Sequence, residues 1–249
     1  MSARSPWRTD ATWERRLARD AERIRSVLPA RLAEVHQRVV DRAHLHAMAL
    51  LLTGSTARRR RTAISDLDYH LIGERIETGD LPEEVDMHVV SSDELQRRLS
   101  NGDDFTQWSL RFGLVVLDDG IVRESMRRIA EDRLWPDVER KREQARRSLR
   151  TAEAMVASQD RDAALDQVRT ALTLIARWRL LSSGAFPLSR AELPRQLAQI
   201  GDSPLAEALT TTIHNAPSLG QLERMLPDAS ELLDHPLEAR VARPRARAA

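Results

Sequence analysis

Two aspartates separated by one residue are the clearest chemical feature of this sequence. Asp66 and Asp68 stand in "SDLDYHLI", where apolar and polar residues alternate as on a β-strand, so both carboxylates lie on one face. We do not expect this acidic face to be the core face. Asp86 occupies a matching position in "EEVDMHVV". Because Mg²⁺ prefers oxygen ligands and is usually held by one or two carboxylates plus substrate phosphates, the three aspartates predict a magnesium site.

A phosphate-binding turn is predicted upstream of the aspartates. The apolar run "AMALLL" ends at Gly54, where a residue without Cβ allows a sharp turn, and Ser55 is placed to cap a helix. Backbone amides after such a turn can cradle phosphate oxygens, and Arg58 can add a charge-assisted contact. We therefore predict that Gly54, Ser55 and Arg58 bind a nucleotide.

The hydrophobic pattern places these residues among helices and strands. Helices are predicted over 11–27, 31–44 and 92–99, and strands over 47–53, around the two aspartate motifs and over 113–120. Beyond residue 123 the pattern is helical, and 164–181 is apolar around much of its circumference, as in the central helix of a bundle. We predict an α+β fold with domains over 1–135 and 136–240 and a basic tail over 241–249.

Composition excludes several classes of protein. The chain has 249 residues, 41% hydrophobic and 31% charged, and a net charge of only +1, which argues against a general nucleic-acid binder. It has no cysteine, which removes disulfides, thiol nucleophiles and thiolate metal sites. No apolar run has the length of a signal core or a membrane span, so we expect a cytoplasmic protein without a membrane partner.

The order and spacing of the motifs resemble the nucleotidyltransferase superfamily of the DNA polymerase β type. Its signature is a strand, Gly-Ser, a short helix and Asp-x-Asp on the next strand, matched here by Gly54, Ser55, Asp66 and Asp68, with Asp86 where the family carries a third acidic residue. Ala-Arg after the turn also matches. The resemblance covers roughly residues 50–120. One departure is an arginine at position 59, where many relatives have glycine.

The resemblance implies a fold and a reaction. It implies a small mixed-sheet nucleotidyltransferase domain followed by a C-terminal helical bundle, a plan similar to the aminoglycoside adenylyltransferases of antibiotic resistance and to minimal nucleotidyltransferases. The implied reaction is Mg²⁺-dependent transfer of a nucleoside monophosphate, AMP from ATP, to a hydroxyl of a small molecule such as an aminoglycoside, with release of pyrophosphate. Asp66 and Asp68 would bind Mg²⁺. Asp86 would complete a second metal site or accept the proton of the acceptor.

Two other functions stay open. The acceptor of the same chemistry can be tRNA or a protein hydroxyl, as in toxin-type nucleotidyltransferases, which the arginines over 58–61 and 140–150 favour. A nucleotide-binding protein without turnover is the other alternative, against which the three intact aspartates argue. The sequence leaves the acceptor, the nucleobase and the oligomeric state undetermined. We interpret His70 and His88, which alternate with the aspartates, as ordinary polar residues.

Overall fold

The computed structural model describes residues 10–62, 65–73 and 81–234. The chain forms two compact units that divide between Pro136 and Asp137. The elements of the first unit are α1 (Asp10–Val27), α2 (Ala30–Ala43), β1 (Ala47–Leu52), α3 (Gly54–Ala57), β2 (Leu67–Gly73), β3 (Val85–Val90), α4 (Ser92–Ser100), α5 (Asp104–Phe112), β4 (Leu114–Asp118) and α6 (Ile121–Glu131). Those of the second are α7 (Val138–Ala157), α8 (Arg161–Ser182), α9 (Leu193–Gln199), α10 (Ser203–His214) and α11 (Leu219–Asp234).

The described strands form one mixed sheet in the order β3-β2-β1-β4. Strand β1 pairs antiparallel with β2 and β4, whereas β2 and β3 are parallel. This register places Asp68 opposite Asp86 and His70 opposite His88. The sheet thus brings the two aspartate motifs side by side.

Helices cover both faces of this sheet. On one face Leu67, Tyr69 and Leu71 pack with apolar residues of α2. On the other face Ile72 packs with residues of α4, α5 and α6. His70 projects from this second face and is completely buried. The sequence predicted that the face of β2 that carries the aspartates lies outside the core. This prediction is wrong for the part of the face beyond Asp68, because helices α4 to α6 cover it.

Local caps explain where the helices on the second face begin. Ser91 Oγ accepts a hydrogen bond from the Glu94 amide (3.1 Å) and caps the start of α4, as serine commonly does at this position. The Asp103 carboxylate accepts one from the Thr106 amide (2.7 Å) and begins α5, a helix that the sequence analysis did not predict. These two helices supply Leu95, Leu99 and Leu110 to the core of the second face.

The described secondary structure of the second unit consists of helices. Its core contains residues of α7 to α11. Helix α8 is the central element of this core, because it is buried on several sides. Val168, Leu172 and Ile175 are buried on one side, and Trp178 and Leu181 are buried on others. The predicted fold class, a mixed sheet followed by a helical region, is confirmed. Among the described helices, none combines the length and hydropathy needed to cross a bilayer. The predicted tail over 241–249 lies outside the described residues.

Candidate active site

The turn after β1 is tied directly to strand β2. Gly54 has φ +61°, a left-handed conformation that glycine adopts without steric cost. The Thr53 amide donates a hydrogen bond to the Asp68 carbonyl oxygen (2.7 Å), and Thr53 Oγ1 donates to the same oxygen (3.2 Å). Thr53, in extended conformation, is the N-cap of α3, and Ser55 lies inside that helix, so the expectation that Ser55 caps it is wrong.

The carboxylate of Asp68 lies against this turn. A Cβ atom placed on Gly54 would be 1.8 Å from Asp68 Oδ2, which leaves room for hydrogen only. The Ser55 backbone amide donates a hydrogen bond to the Asp68 carboxylate. Gly54 and Ser55 therefore position this carboxylate, a role that the sequence analysis did not assign to them.

The other two predicted carboxylates lie near Asp68. Asp86 is its partner in the parallel register and is exposed, and Asp66 is exposed just before β2 begins. Burial raises the pKa of Asp68 above its usual value, and the negative charges of Asp86 and then Asp66 raise it further. The structure therefore pairs Asp68 with Asp86, whereas the predicted site made of all three aspartates is not formed among the described residues.

The site fits a divalent cation through its donor chemistry. Asp68 and Asp86 offer hard oxygen donors from adjacent strands, and their mutual repulsion indicates that positive charge between them would be stabilising. Within residues 10–62, 65–73 and 81–234, no three or more His, Asp or Glu side chains form a ready-made metal cage. A cation held by one or two carboxylates and by phosphate oxygens is the arrangement that Mg²⁺ commonly adopts.

Arg58 is placed beside an aromatic ring. It follows the last residue of α3, and its guanidinium carbon lies 5.1 Å from the centroid of the Phe112 ring, within the range of a cation–π contact. The ring belongs to α5, so this contact links the turn to a helix on the second face of the sheet. Binding of a nucleotide by Arg58 remains a prediction.

Two histidines lie next to the aspartate pair, a position that was not predicted from the sequence. His70 is completely buried, and neither ring nitrogen has a hydrogen-bond partner. Its ring lies 5.0 Å from that of His88 and 5.8 Å from that of Phe105. Burial, followed by His88 and Arg98, lowers the pKa of His70 to about 3, so its ring is neutral near pH 7.

His88 differs from His70 in having a polar partner. Arg98 Nη1 donates to His88 Nε2 at 3.0 Å, and the same guanidinium donates through Nε to Glu94 (2.6 Å). The sequence signal for this position is the repeated Asp-x-His in "DYH" and "DMH", which the strand register aligns. Two residues beyond the aspartate pair along the strands, the rings of His70, His88 and Phe105 therefore lie next to one another, and the His70 ring is uncharged.

Comparisons with known proteins add little to this geometry. The sequence matches no protein-family model and no curated protein. The structure is similar to that of a nucleotidyltransferase-like protein from Exiguobacterium sibiricum 255-15, with 17% sequence identity, coverage of 81% of this chain and 73% of that chain, and a TM-score of 0.42. A similarity of this degree establishes neither fold nor function, so a functional assignment depends on the residues of the site itself.

Proposed function

We propose that this protein is a Mg²⁺-dependent nucleotidyltransferase. It transfers a nucleoside monophosphate, AMP from ATP, to a hydroxyl of a small molecule such as an aminoglycoside. The observation that supports the proposal best is the position of Asp68, whose carboxylate lies against the Gly54 turn and in register with Asp86. A turn suited to phosphate and a pair of carboxylates meet at this one place.

In the proposed reaction, the acceptor oxygen bonds to the α-phosphorus of ATP. The bond from that phosphorus to the oxygen bridging to the β-phosphate breaks, and pyrophosphate leaves. Mg²⁺ bound by Asp68 and Asp86, with Asp66 beside them, would neutralise charge on the phosphate oxygens. The protein itself has to bind the triphosphate, hold the carboxylates in place and remove the hydroxyl proton of the acceptor.

The two register partners are suited to different tasks. Asp68 is half-buried and accepts the Ser55 amide, so its position is constrained. Asp86 is exposed and therefore open to an acceptor. We assign Asp86 the transfer of the hydroxyl proton through the carboxylate oxygen that the metal leaves free, because a general base has to lie within hydrogen-bond reach of that proton. Gly54, Ser55 and Arg58 are assigned to the triphosphate, and Gly54 also leaves the space that Asp68 fills.

A transfer assay tests the proposal. The protein is incubated with Mg²⁺, each nucleoside triphosphate labelled at the α-phosphate, and a panel of hydroxylated acceptors that includes aminoglycosides. Pyrophosphate release and a labelled acceptor are expected with ATP. Asp68→Asn should lower the rate at least about 100-fold, because misplaced or missing transition-state contacts have effects of this size.

The matched control is Asp93→Asn, which removes an exposed carboxylate from the first turn of α4 in the same unit. It should leave the transfer rate unchanged. If Asp68→Asn is fully active, the role assigned to the Asp68 carboxylate is wrong. Saturable binding of ATP without transfer to any acceptor would instead identify the protein as a nucleotide-binding protein without turnover.

A further inference from the structure

A cavity of the first unit lies beside the arginines over 58–61. Its volume is about 390 Å³, and it is lined by Ser26 and Val27 at the end of α1 and by Thr56, Arg59 and Arg61. None of these lining residues is acidic. The size is within the range of cavities that hold small ligands.

This cavity is distinct from the place where Asp68 lies against the turn. Gly54 faces Asp68, as the 1.8 Å separation shows, whereas Thr56 lines the cavity. Neither Gly54 nor any of the three aspartates is among the residues that line the cavity. A group bound beside Thr56 is therefore separate from one bound at the aspartates.

The cavity walls contain hydrogen-bond donors that have no acceptor. Thr56 is completely buried, and its hydroxyl has no hydrogen-bond partner. The buried Nε atom of Arg61 also lacks one, although Arg61 Nη2 donates to the Ser65 carbonyl oxygen at 2.9 Å. Buried polar groups without partners are uncommon in native proteins and require an explanation, such as an ion.

Positive charge accumulates around the same cavity. Arg23, one helical turn before Val27, also has a buried Nε atom without a partner. Burial lowers the pKa of Arg23, and the charge of Arg59 is the next cause. Asp20 is the carboxylate that opposes this effect, but it already accepts hydrogen bonds from Arg16 and from the Val115 amide. An anion in the cavity would offset the repulsion among these guanidinium groups.

The backbone at Arg59 is also unusual. Arg59 has φ +56°, a conformation that is unfavourable for residues with a Cβ atom. Hydrogen bonds from the Arg59 amide to the Thr56 carbonyl oxygen (3.1 Å) and from the Arg60 amide to the Ser55 carbonyl oxygen (2.8 Å) hold it there. Arg59 thus lines the cavity at a position where glycine would be the unstrained residue.

From these observations we infer that the cavity beside Thr56 binds a phosphate group that does not belong to the nucleotide substrate. A phosphate offers several acceptor oxygens, and its geometry matches guanidinium donors, which explains the combination of arginines and a hydroxyl. The phosphate can come from a phosphorylated small molecule or from the backbone of a polynucleotide. The site extends the proposed function, but phosphate binding can be measured without any transfer activity.

Calorimetric titration with inorganic phosphate in a phosphate-free buffer tests the inference. Saturable binding is expected for the wild-type protein. Arg59→Gly removes one guanidinium while glycine accepts the positive φ, so the variant should fold normally and bind phosphate about tenfold more weakly, the usual effect of losing a charge-assisted hydrogen bond. Thr56→Val, which has nearly the same shape, should also weaken binding.

Arg60→Gly is the matched control, because Arg60 is the next residue, is exposed and does not line the cavity. It should change the affinity less than about twofold. If Arg59→Gly and Arg60→Gly weaken phosphate binding equally, phosphate is attracted only by the overall positive charge of this region, and the inference is wrong. The absence of saturable binding to the wild-type protein would overturn it as well.

Two competition experiments identify the phosphate. ATP with Mg²⁺ should not displace inorganic phosphate, and displacement would overturn the separation of the two sites. If a short single-stranded RNA displaces phosphate and Arg59→Gly lowers the salt dependence of RNA binding, the source is a polynucleotide. If phosphate binds and RNA does not compete, the source is a phosphorylated small molecule. Asp68→Asn should retain phosphate binding, so failure of the transfer assay would not affect this inference.

Discussion

Gly54 and Asp68 are packed so closely that a Cβ atom on Gly54 would lie 1.8 Å from Asp68 Oδ2 and 2.4 Å from its Cγ. The two residues belong to different elements, and the Thr53 amide joins those elements through the Asp68 carbonyl oxygen. The conformation of the turn and the position of the carboxylate therefore depend on each other. A change in either residue is expected to alter the site.

Gly54→Ala should reduce transfer activity more than stability. The positive φ alone costs an alanine about 1–2 kcal/mol, and the added methyl group also has to displace the Asp68 side chain. A displacement of about 1 Å can cost about 100-fold in rate. Urea denaturation and the transfer assay, performed on the same preparation, measure the two effects.

Gly120→Ala separates backbone strain from the steric effect. Gly120 has φ +103°, and a Cβ atom there would have no neighbour within 4 Å. This variant should lose stability and keep its activity. If Gly54→Ala is as active as Gly120→Ala, the close contact with Asp68 has no functional role.

Mg²⁺ should stabilise the first unit through Asp68 and Asp86. Because the charges of Asp86 and Asp66 raise the pKa of Asp68, the ionised site is unfavourable without a cation. Mg²⁺ at ten times its Kd should add about 1.4 kcal/mol to the free energy of unfolding of the wild-type protein. Differential scanning calorimetry with Mg²⁺ or with EDTA measures this change.

The Asp68→Asn variant should show a different response. In EDTA it should be at least as stable as the wild type, because the substitution removes one of the repelling charges, and Mg²⁺ should add little. A wild-type protein whose transition temperature is the same in Mg²⁺ and in EDTA would contradict the predicted metal site. The Asp93→Asn protein, with its carboxylate removed elsewhere, should behave like the wild type.

Acid should destabilise the first unit partly through His36. His36 Nδ1 is 2.7 Å from the hydroxyl oxygen of Tyr69, and burial lowers the pKa of His36. The folded-state pKa is then below the unfolded value of about 6.5, so the unfolded chain binds the proton more tightly and stability is lost as the pH falls through about 6.5. The slope from this group cannot exceed about 1.4 kcal/mol per pH unit.

His36→Gln should therefore show a shallower loss of unfolding free energy between neutral and mildly acidic pH. Urea denaturation at several pH values provides the comparison. His46→Gln, a substitution at an exposed position, should retain the wild-type slope. Equal slopes for His36→Gln and the wild type would show that protonation of His36 does not contribute to acid unfolding.

Asp20 should be among the most sensitive positions of the first unit. Its buried carboxylate accepts a hydrogen bond from the Val115 amide (3.1 Å) and one from Arg16 Nε (3.4 Å), while Arg16 Nη2 donates to the Leu110 carbonyl oxygen at 2.9 Å. Asp20→Ala would leave a buried guanidinium without its carboxylate, at a cost of about 3–5 kcal/mol. Denaturation with urea measures the loss, and Asp41→Ala on the exposed side of α2 should cost less than about 1 kcal/mol.

The second unit contains a buried ion pair that is less well bonded. Arg179 Nε lies 3.3 Å from Asp202 Oδ2, both residues are buried, and the Nε and Nη1 atoms of Arg179 have no hydrogen-bond partner. Burial raises the pKa of Asp202 despite the opposing effect of Arg179. This pair is therefore not expected to stabilise the unit.

Joint replacement as Arg179→Met and Asp202→Leu should be neutral or stabilising by about 1–4 kcal/mol, as for other buried pairs replaced by hydrophobic side chains of similar volume. The Asp202→Ala change alone, which leaves the guanidinium buried, should destabilise the unit by about 3–5 kcal/mol. Calorimetry of the three proteins provides the comparison. A double variant as unstable as the single one would show that the pair stabilises the native packing.

Local patterns were sufficient to predict most elements of the first unit. Periodicity predicts helices α1 and α2 and the strands, and a short-range hydrogen bond explains the cap at Ser91. Both signals depend only on residues that are close in sequence. Helix α5 was not predicted, since "DFTQWSLRF" contains buried polar residues such as Thr106, Gln107 and Ser109 that weaken a hydrophobic pattern. The Thr53 cap was assigned to Ser55, two residues too late.

The sequence by itself determined the types of residue in the site: a glycine turn, three aspartates and a run of arginines, together with a strand pattern that directs the aspartates to one side. Only the tertiary structure decided that β2 and β3 are parallel, with Asp68 opposite Asp86, that His70 is buried behind them, and that Thr56 and Arg59 meet the end of α1 in a cavity. The physical reason is the range of the interactions. Side-chain alternation and turn conformation depend on neighbouring residues, whereas strand partners, burial on the second face and the charge around a carboxylate depend on residues that only folding brings together.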